Sequence, residues 1–228
     1  MPTGIGGELG WWCPSLDNSG NGTTTLNDLA GSNNGTLTNF ALTGSTSNWV
    51  ADTGSGGVRA LDLDGTDDYV TTSLTKTTLP VSLTAWIKPV VTTTFHTLFG
   101  DGDSSIYVGN DNRKLRFFSS SGVSTTSDYL VDSVWQHVGY CWDGINVMFH
   151  YNGATVETKA FAGSLSINSM RFGAYHTPFF AFQGRLDDVR IFGRSITSGE
   201  VAALATTRGY QPPGESRRRR QSVSGGVL

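Results

Sequence analysis

Residues 135–159 read Trp135-Gln-His-Val-Gly-Tyr-Cys-Trp142, then Asp143-Gly144, then, after Ile145 and Asn146, Val147-Met-Phe-His-Tyr151, then Asn152-Gly153 and Ala154, then Thr155-Val-Glu-Thr-Lys159. Three apolar or β-branched runs are separated by two turn dipeptides. Asn-Gly between two such runs is a strong hairpin signal, because a two-residue hairpin turn needs positive φ at both central positions. The stretch therefore predicts a β meander. Val81–Val90 extends the pattern: Val81, Leu83, Ala85 and Ile87 point one way, and Ser82, Thr84, Trp86 and Lys88 the other. Shorter strand-like runs recur on both sides, at Val58–Leu63, Tyr69–Thr72, Phe95–Phe99, Ile106–Val108, Lys114–Phe118, Met170–Ala174 and Phe182–Phe192.

Composition agrees. The 228 residues include 29 Gly, and only 15% are charged. There are fifteen Asp but four Glu (Glu8, Glu157, Glu200 and Glu215). Asp bonds to nearby backbone in turns, whereas Glu suits helices. An all-β chain of this length is expected to form one domain with a sizeable core. One short helix is expected near the C-terminus. Thr197-Ser-Gly-Glu200 matches a capping box, and Val201, Leu204 and Ala205 follow at helical spacing.

The net charge of −3 is uneven. From Gly209 onward four Arg and one Glu give +3, so the preceding body carries −6. An acidic body with a short basic tail is not a nucleic-acid-binding composition. The chain is expected to divide into a domain over residues 1–208 and a Pro/Gly/Arg-rich arm over 209–228. No apolar stretch approaches the roughly 18 residues of a membrane span. Met1-Pro-Thr-Gly4 and its continuation lack the basic and apolar regions of a secretory signal. Synthesis in the cytoplasm is the expectation. Cys13 and Cys141 form no disulfide framework. They could pair, but Cys141 sits mid-strand, where a free buried thiol is common.

Three stretches, in order, resemble the laminin-G-like branch of the concanavalin A-like lectin/glucanase jelly rolls, which include the pentraxins. They are Gly10-Trp-Trp12 with Asn27-Asp-Leu-Ala-Gly-Ser-Asn-Asn-Gly-Thr36; then Leu61-Asp-Leu-Asp-Gly-Thr-Asp-Asp-Tyr-Val70 followed by Val81–Pro89; then Trp135-Gln-His-Val138, Tyr151-Asn-Gly153 and Gly184-Arg-Leu-Asp-Asp-Val-Arg-Ile-Phe-Gly-Arg194. Ala30 and Ser32 depart from the family's usual Ser and Asn. The resemblance runs from about Gly10 to Ala205. It implies an antiparallel jelly-roll sandwich of two sheets, closed by the short C-terminal helix. The fold hosts lectins, hydrolases and structural domains alike, so function must come from the site.

The resemblance also implies a structural calcium where the N-terminal loop meets the last long strand. The matching positions are Asp28 and Asn34 on the loop and Asp187 on the strand. The competing reading has Asp28 capping a turn and Asp187 bonding local N–H groups. Asp187 and Asp188 alternate along a strand, so only one is expected to face such a site. Asp64, Asp67 and Asp68 read either as a second cation site or, the commoner explanation, as a turn crowded with Asp.

The segment Tyr175–Phe182 is rich in aromatic residues, which stack on sugar rings and anchor interfaces. Tyr175, His176 and Phe179 are expected to face solvent, and Phe180 and Phe182 to pack inward. Trp86 shares a strand face with polar residues and is a further candidate for contact with glycan or protein. Glucanases of this fold use two Glu, two positions either side of an Asp, and retaining chemistry needs carboxyls about 5–5.5 Å apart. The four Glu here are more than ten positions apart. No two His have metal-ligand spacing. The expectation is a non-catalytic recognition or decoration domain, displayed on a larger assembly such as a phage or other virus particle. Arg217, Arg218, Arg219 and Arg220 would form an arm that contacts neighbouring chains. The alternatives are a carbohydrate-binding module of an enzyme or surface protein, and an atypical polysaccharide-active enzyme.

Overall fold

A computed structural model describes residues 4–17, 19–44, 47–91, 95–101, 107–119, 121–175 and 180–212, with residues 107–111 as backbone only. Sixteen strands run through them: β1 (Glu8–Trp12), β2 (Thr25–Leu26), β3 (Gly35–Thr38), β4 (Asn48–Ala51), β5 (Arg59–Asp64), β6 (Tyr69–Thr71), β7 (Val81–Pro89), β8 (Phe95–Asp101), β9 (Tyr107–Asp111), β10 (Lys114–Ser119), β11 (Ser121–Ser124), β12 (Gln136–Trp142), β13 (Asn146–Tyr151), β14 (Ala154–Ala160), β15 (Met170–Phe172) and β16 (Gln183–Phe192). One helix, α1 (Ser198–Leu204), follows. Among the described residues no helix is long and apolar enough to cross a membrane.

The strands form two antiparallel sheets. The first has the order β14-β13-β12-β7-β16-β5-β4, and β1 also pairs with β16. The second has the order β11-β10-β9-β8-β15-β6-β3-β2. The meander read from residues 135–159 is β12-β13-β14. Its Asn-Gly turn has Asn152 at φ 46° and Gly153 at φ 87°, as a tight hairpin requires. The short strands β2, β4 and β11 were not anticipated. Each lies at a sheet edge. An edge strand can be held by backbone hydrogen bonds alone, so it needs no apolar alternation; β11 reads Ser-Gly-Val-Ser.

The core lies between the sheets. Val81, Leu83, Ala85 and Ile87 of β7 join it from the first sheet, and Leu115, Phe117, Met170 and Phe172 from the second. Trp12 meets Phe172 across the sandwich at 4.7 Å between ring centroids, and Trp142 meets Phe117 at 5.2 Å. Both cysteines are free and buried.

β16 organises the first sheet. Its first half, Gln183–Leu186, pairs with β5, and its second half, Val189–Phe192, with β1. A register shift between Asp187 and Arg190 separates the halves, with Asp188 at φ 48°. Such a bulge puts an extra residue on one strand and breaks strict alternation.

The helix forms as its cap predicts. The Thr197 hydroxyl accepts the Glu200 amide N–H, and the Glu200 carboxylate accepts the Thr197 amide N–H. Val201 and Leu204 are buried with Phe192 and Ile196 in a second apolar cluster outside the sandwich core.

Candidate functional site

Each sheet has a face turned away from the core, and the two faces differ. That of the first sheet is covered. Trp86 points away from the core, as its alternation predicts, but it is only 5% exposed. Its indole N–H donates to the Leu204 carbonyl of α1 at 3.1 Å, and its ring packs edge-on against His137. Trp86 is therefore not a contact residue for glycan or partner. Strand periodicity gives the direction of a side chain and is silent about a helix that returns later to cover it.

Beside Trp86 lies a buried polar layer. Thr84 (β7), His137 (β12), His150 (β13) and Arg190 (β16) are all at most 2% exposed. Within the described structure, Thr84 Oγ1, His137 Nδ1 and His150 Nε2 have no hydrogen-bond partner. Burial lowers the His137 pKa to about 3 and that of His150 to about 4, so both rings are neutral. Gly139 sits between Thr84 and His150; a Cβ there would lie 3.2 Å from Thr84 Cγ2 and 3.3 Å from His150 Cβ.

Two buried arginines fasten the end of the domain over this face. Arg190 lies over the Trp11 ring at 4.0 Å, bonds the Asp188 carboxylate and donates to the Tyr210 carbonyl at 2.6 Å. Arg208 lies over the Trp135 ring at 4.0 Å, pairs with Asp187 at 3.0 Å and donates to the carbonyls of Asp52, Gly54 and Arg59. The Gly209 amide donates to Asp188. The bulge thus turns both Asp187 and Asp188 toward the 208–210 segment, where regular alternation would have separated them. Gly209 and Tyr210 are held by the body of the domain.

This network also bears on calcium. The Asp28 carboxylate accepts the backbone N–H groups of Trp11, Ala30 and Asn33, and Asn34 Oδ1 accepts that of Asp28. Asp187 is occupied by Ser15, the Asp188 amide and Arg208. Burial pushes its pKa up to about 6 against the hydrogen bonds from Ser15 and the charge of Arg208. The structure brings Asp28 and Asn34 together in one self-capped loop and places Asp187 in an arginine pair. These residues do not fit a shared hard-cation site, which needs six to eight converging oxygens. Among the described residues, only Asp64, Asp67 and Asp68 converge as metal-ligating groups, with one oxygen from each within 4.8 Å of the others. Asp68 there accepts the Ser47 hydroxyl and the Asp64 amide, and Asp64 accepts the Thr66 amide, as a turn crowded with Asp would.

No glutamate pair assembles among the described residues. Glu8 on β1 binds the amides of Ile5 and Gly6 and faces Arg190. Glu157 on β14 binds the amides of Thr126 and Ser127. Glu200 on α1 is held down to about 2 by hydrogen bonds from Arg194. Each of these three carboxylates is engaged with different partners.

Among the described residues, the outer face of the second sheet carries partly exposed aromatic and basic side chains. Leu37, Val70, Phe172, Leu115 and Phe117 point into the core, so the residues between them point outward. Cross-strand pairing sets Thr36 beside Thr71, Thr71 beside Arg171 and Arg171 beside Gly100 in one row. Tyr69, Arg171, Phe95, Arg116 and Phe118 are all partly exposed. The Arg171 guanidinium stacks over Tyr69 at 5.1 Å, and that of Arg116 over Phe95 at 5.7 Å. Phe180 meets Phe95 edge-on at 5.3 Å.

The two described ends of the segment after β15, 173–175 and 180–182, lie beside this face. Gly173 and Phe182 close it through the Phe182 amide and the Gly173 carbonyl at 2.7 Å, and the Phe180 carbonyl accepts the Thr97 amide. Ala174 and Tyr175 rest on Gly100, where a Cβ would lie 2.5 Å from the Ala174 carbonyl oxygen and 2.9 Å from the Tyr175 Cα. Tyr175, a predicted contact residue, is thus half-buried on the open face. Phe182 is buried as expected, but Phe180 is 49% exposed. Phe180 has φ 58°, a local turn that breaks the strand alternation from which its direction would be read. His176, Phe179 and Arg217–Arg220 lie outside the described residues. Arg171 was overlooked, although its place between buried Met170 and Phe172 in a strand marks it as outward-facing.

Residues 64–202 match the family model Laminin_G_3, the concanavalin A-like lectin/glucanases superfamily. No curated protein matches the sequence. Among solved structures, the chain is similar to domain 4 of AbnA, a GH43 extracellular arabinanase from Geobacillus stearothermophilus, in complex with arabinotriose. Identity is 22% and the TM-score 0.65, covering 87% of this chain and 98% of that one. It is also similar to the binding domain of Paraclostridial Mosquitocidal Protein 1 (12% identity, TM-score 0.68, 87% and 52% covered). A third is the ligand-binding domain of botulinum neurotoxin serotype D in complex with N-acetylneuraminic acid (13%, 0.64, 87% and 50%). The chain spans about half the length of these two toxin domains.

Proposed function

We propose that this chain, which belongs to the concanavalin A-like lectin/glucanase superfamily, is a non-catalytic domain that binds glycan on the outer face of its second sheet. The observation that carries the reading is the contrast between the two faces. The first is sealed by α1 and two buried arginines. The second presents Tyr69, Phe95, Phe180 and Tyr175 beside Arg116 and Arg171. Rings of this kind offer sugar a flat apolar partner, and guanidinium groups offer hydrogen bonds to its oxygens. Two similar folds solved with a bound sugar support the reading. The three described glutamates, each engaged separately with different partners, support a binding role over hydrolysis.

A glycan array probed with the purified domain, with and without calcium, tests the proposal. Binding to a defined set of glycans without their turnover is expected; an array with no hits overturns it.

Display on a particle, as a decoration domain of a virion or other assembly, is a finer form of the same proposal. It is supported by the opposite charges of body and arm and by the clamp on Tyr210, which fixes where the chain leaves the body. A monodisperse monomer whose arm is cut at once by protease would count against it.

A further inference from the structure

From the surroundings of Arg171 we infer that the open face holds a subsite for a carboxylated sugar, a uronate or sialate residue, with Arg171 as its anion-binding group. The inference rests on the glycan-binding reading above and specifies the charge class of its ligand.

Arg171 is the central residue of β15 and the middle of the row Thr36–Thr71–Arg171–Gly100. Its guanidinium is stacked on Tyr69, which restricts its orientation. Its Nε is buried and has no hydrogen-bond partner among the described residues. A buried donor without an acceptor is costly, the more so when charged. Several other surface charges are paired: Arg185 with Asp52 and Asp62, Arg194 with Glu200, and Lys159 with Glu157. Among the described residues, Arg171 has an aromatic neighbour and no ion-pair partner.

What fits is an acceptor from outside. A planar carboxylate can take two parallel N–H bonds from a guanidinium. The sugar ring that bears it would lie over Thr71 and Thr36, whose outward positions offer hydroxyls, and against Tyr175 on the Gly100 side. Charge supports this choice. The body is acidic overall, yet this face carries Arg171 on β15 and Arg116 on β10. An anionic glycan is repelled by most of the surface and attracted here.

The test measures binding of trigalacturonate and of sialyllactose, each against its own methyl ester, to the whole chain at low salt. The ester keeps the sugar and removes the charge, and the two acids distinguish uronate from sialate. Wild type is expected to bind one of the acids about tenfold or more tighter than its ester, as a charge-assisted bidentate pair implies. Arg171→Gln should erase the difference, and Arg171→Lys, which keeps the charge but not the fork, should restore only part of it. Unfolding curves of both variants should match wild type, which separates a lost contact from a lost fold. The inference is overturned if acid and ester bind alike, or if Arg171→Gln keeps the preference. Binding of neutral glycans with no preference for charge would sink the subsite and leave the glycan-binding reading standing; binding of no glycan would sink both.

Discussion

Acidification from pH 7.5 to pH 5 should weaken this fold chiefly through two side chains, His137 and His150; His96, whose pKa is also lowered by burial, adds to the loss. Both rings are buried under α1 and neutral, with pKa values lowered to about 3 and about 4 by burial. In the unfolded chain a histidine titrates near pH 6.5. As pH falls through that value, the unfolded state takes up protons that the folded state refuses. The stability present above pH 6.5 is therefore lost on acidification. At pH 5 the gap between solution pH and the unfolded pKa is about 1.5 units, or roughly 2 kcal/mol for each ring and about 4 kcal/mol for the pair. Asp187 works in the opposite direction. Its pKa is pushed up to about 6, so it regains a proton in the folded state first and returns about 1 kcal/mol by pH 5. The net loss of about 3 kcal/mol is a large share of the 5–15 kcal/mol that holds a typical domain.

Urea unfolding followed by tryptophan fluorescence at half-unit pH steps measures the loss. The control is His137→Gln/His150→Gln, which removes both titrations. Its stability at pH 7.5 can differ from wild type, but its loss between pH 7 and 5 should be much smaller than that of wild type, with His96 and Asp187 acting in opposite directions. A wild-type loss below about 1 kcal/mol, or the same slope in the double variant, would refute the reasoning. So would titration of the His137 and His150 imidazoles near pH 6.5 in the folded protein.

Arg208→Met leaves Asp187 buried beside no cation, and should cost about 3–5 kcal/mol at neutral pH. Adding Asp187→Asn should recover part of that loss in thermal unfolding, and a double variant no more stable than the single would contradict the pairing. Gly100→Ala pushes a Cβ against the Ala174 carbonyl and the Tyr175 backbone. It should lift the 173–182 segment and weaken glycan binding severalfold in titration calorimetry; unchanged affinity would mean that the segment takes no part. Phe180→Ala removes a ring that is 49% exposed. It should change stability by about 0.5 kcal/mol or less, as surface substitutions do, while reducing binding; a large fall in melting temperature with intact binding would reverse the assignment. Thr197→Ala removes the helix cap and should cost about 1 kcal/mol, read in chemical unfolding; a cost near zero would show that α1 is held by its buried face alone.

Much of the architecture could be read from residues in order. The meander of residues 135–159, the alternation of Val81–Pro89 and the capping box at Thr197–Glu200 are local patterns, set by the two-residue period of a strand, the φ demands of Asn-Gly and the geometry of a helix end. They are visible wherever a strand has one apolar face or a turn needs a particular residue. Edge strands such as β11 escaped because backbone pairing asks nothing of the side chains.

The site was legible only in part, because exposure depends on what comes back to cover a face. Trp86 and Arg171 both point away from the core on regular strands. Periodicity treats them alike, yet α1, more than a hundred residues after Trp86, buries one and leaves the other at the surface. Asp187 and Asp188 obey alternation on paper, but a single bulge turns both toward Arg208 and Gly209. Sequence alone determined that the chain is an all-β sandwich of a known superfamily with a capped helix at its end. Only the tertiary structure decided which face stays open and which charges find partners, since both depend on contacts between residues far apart in the chain.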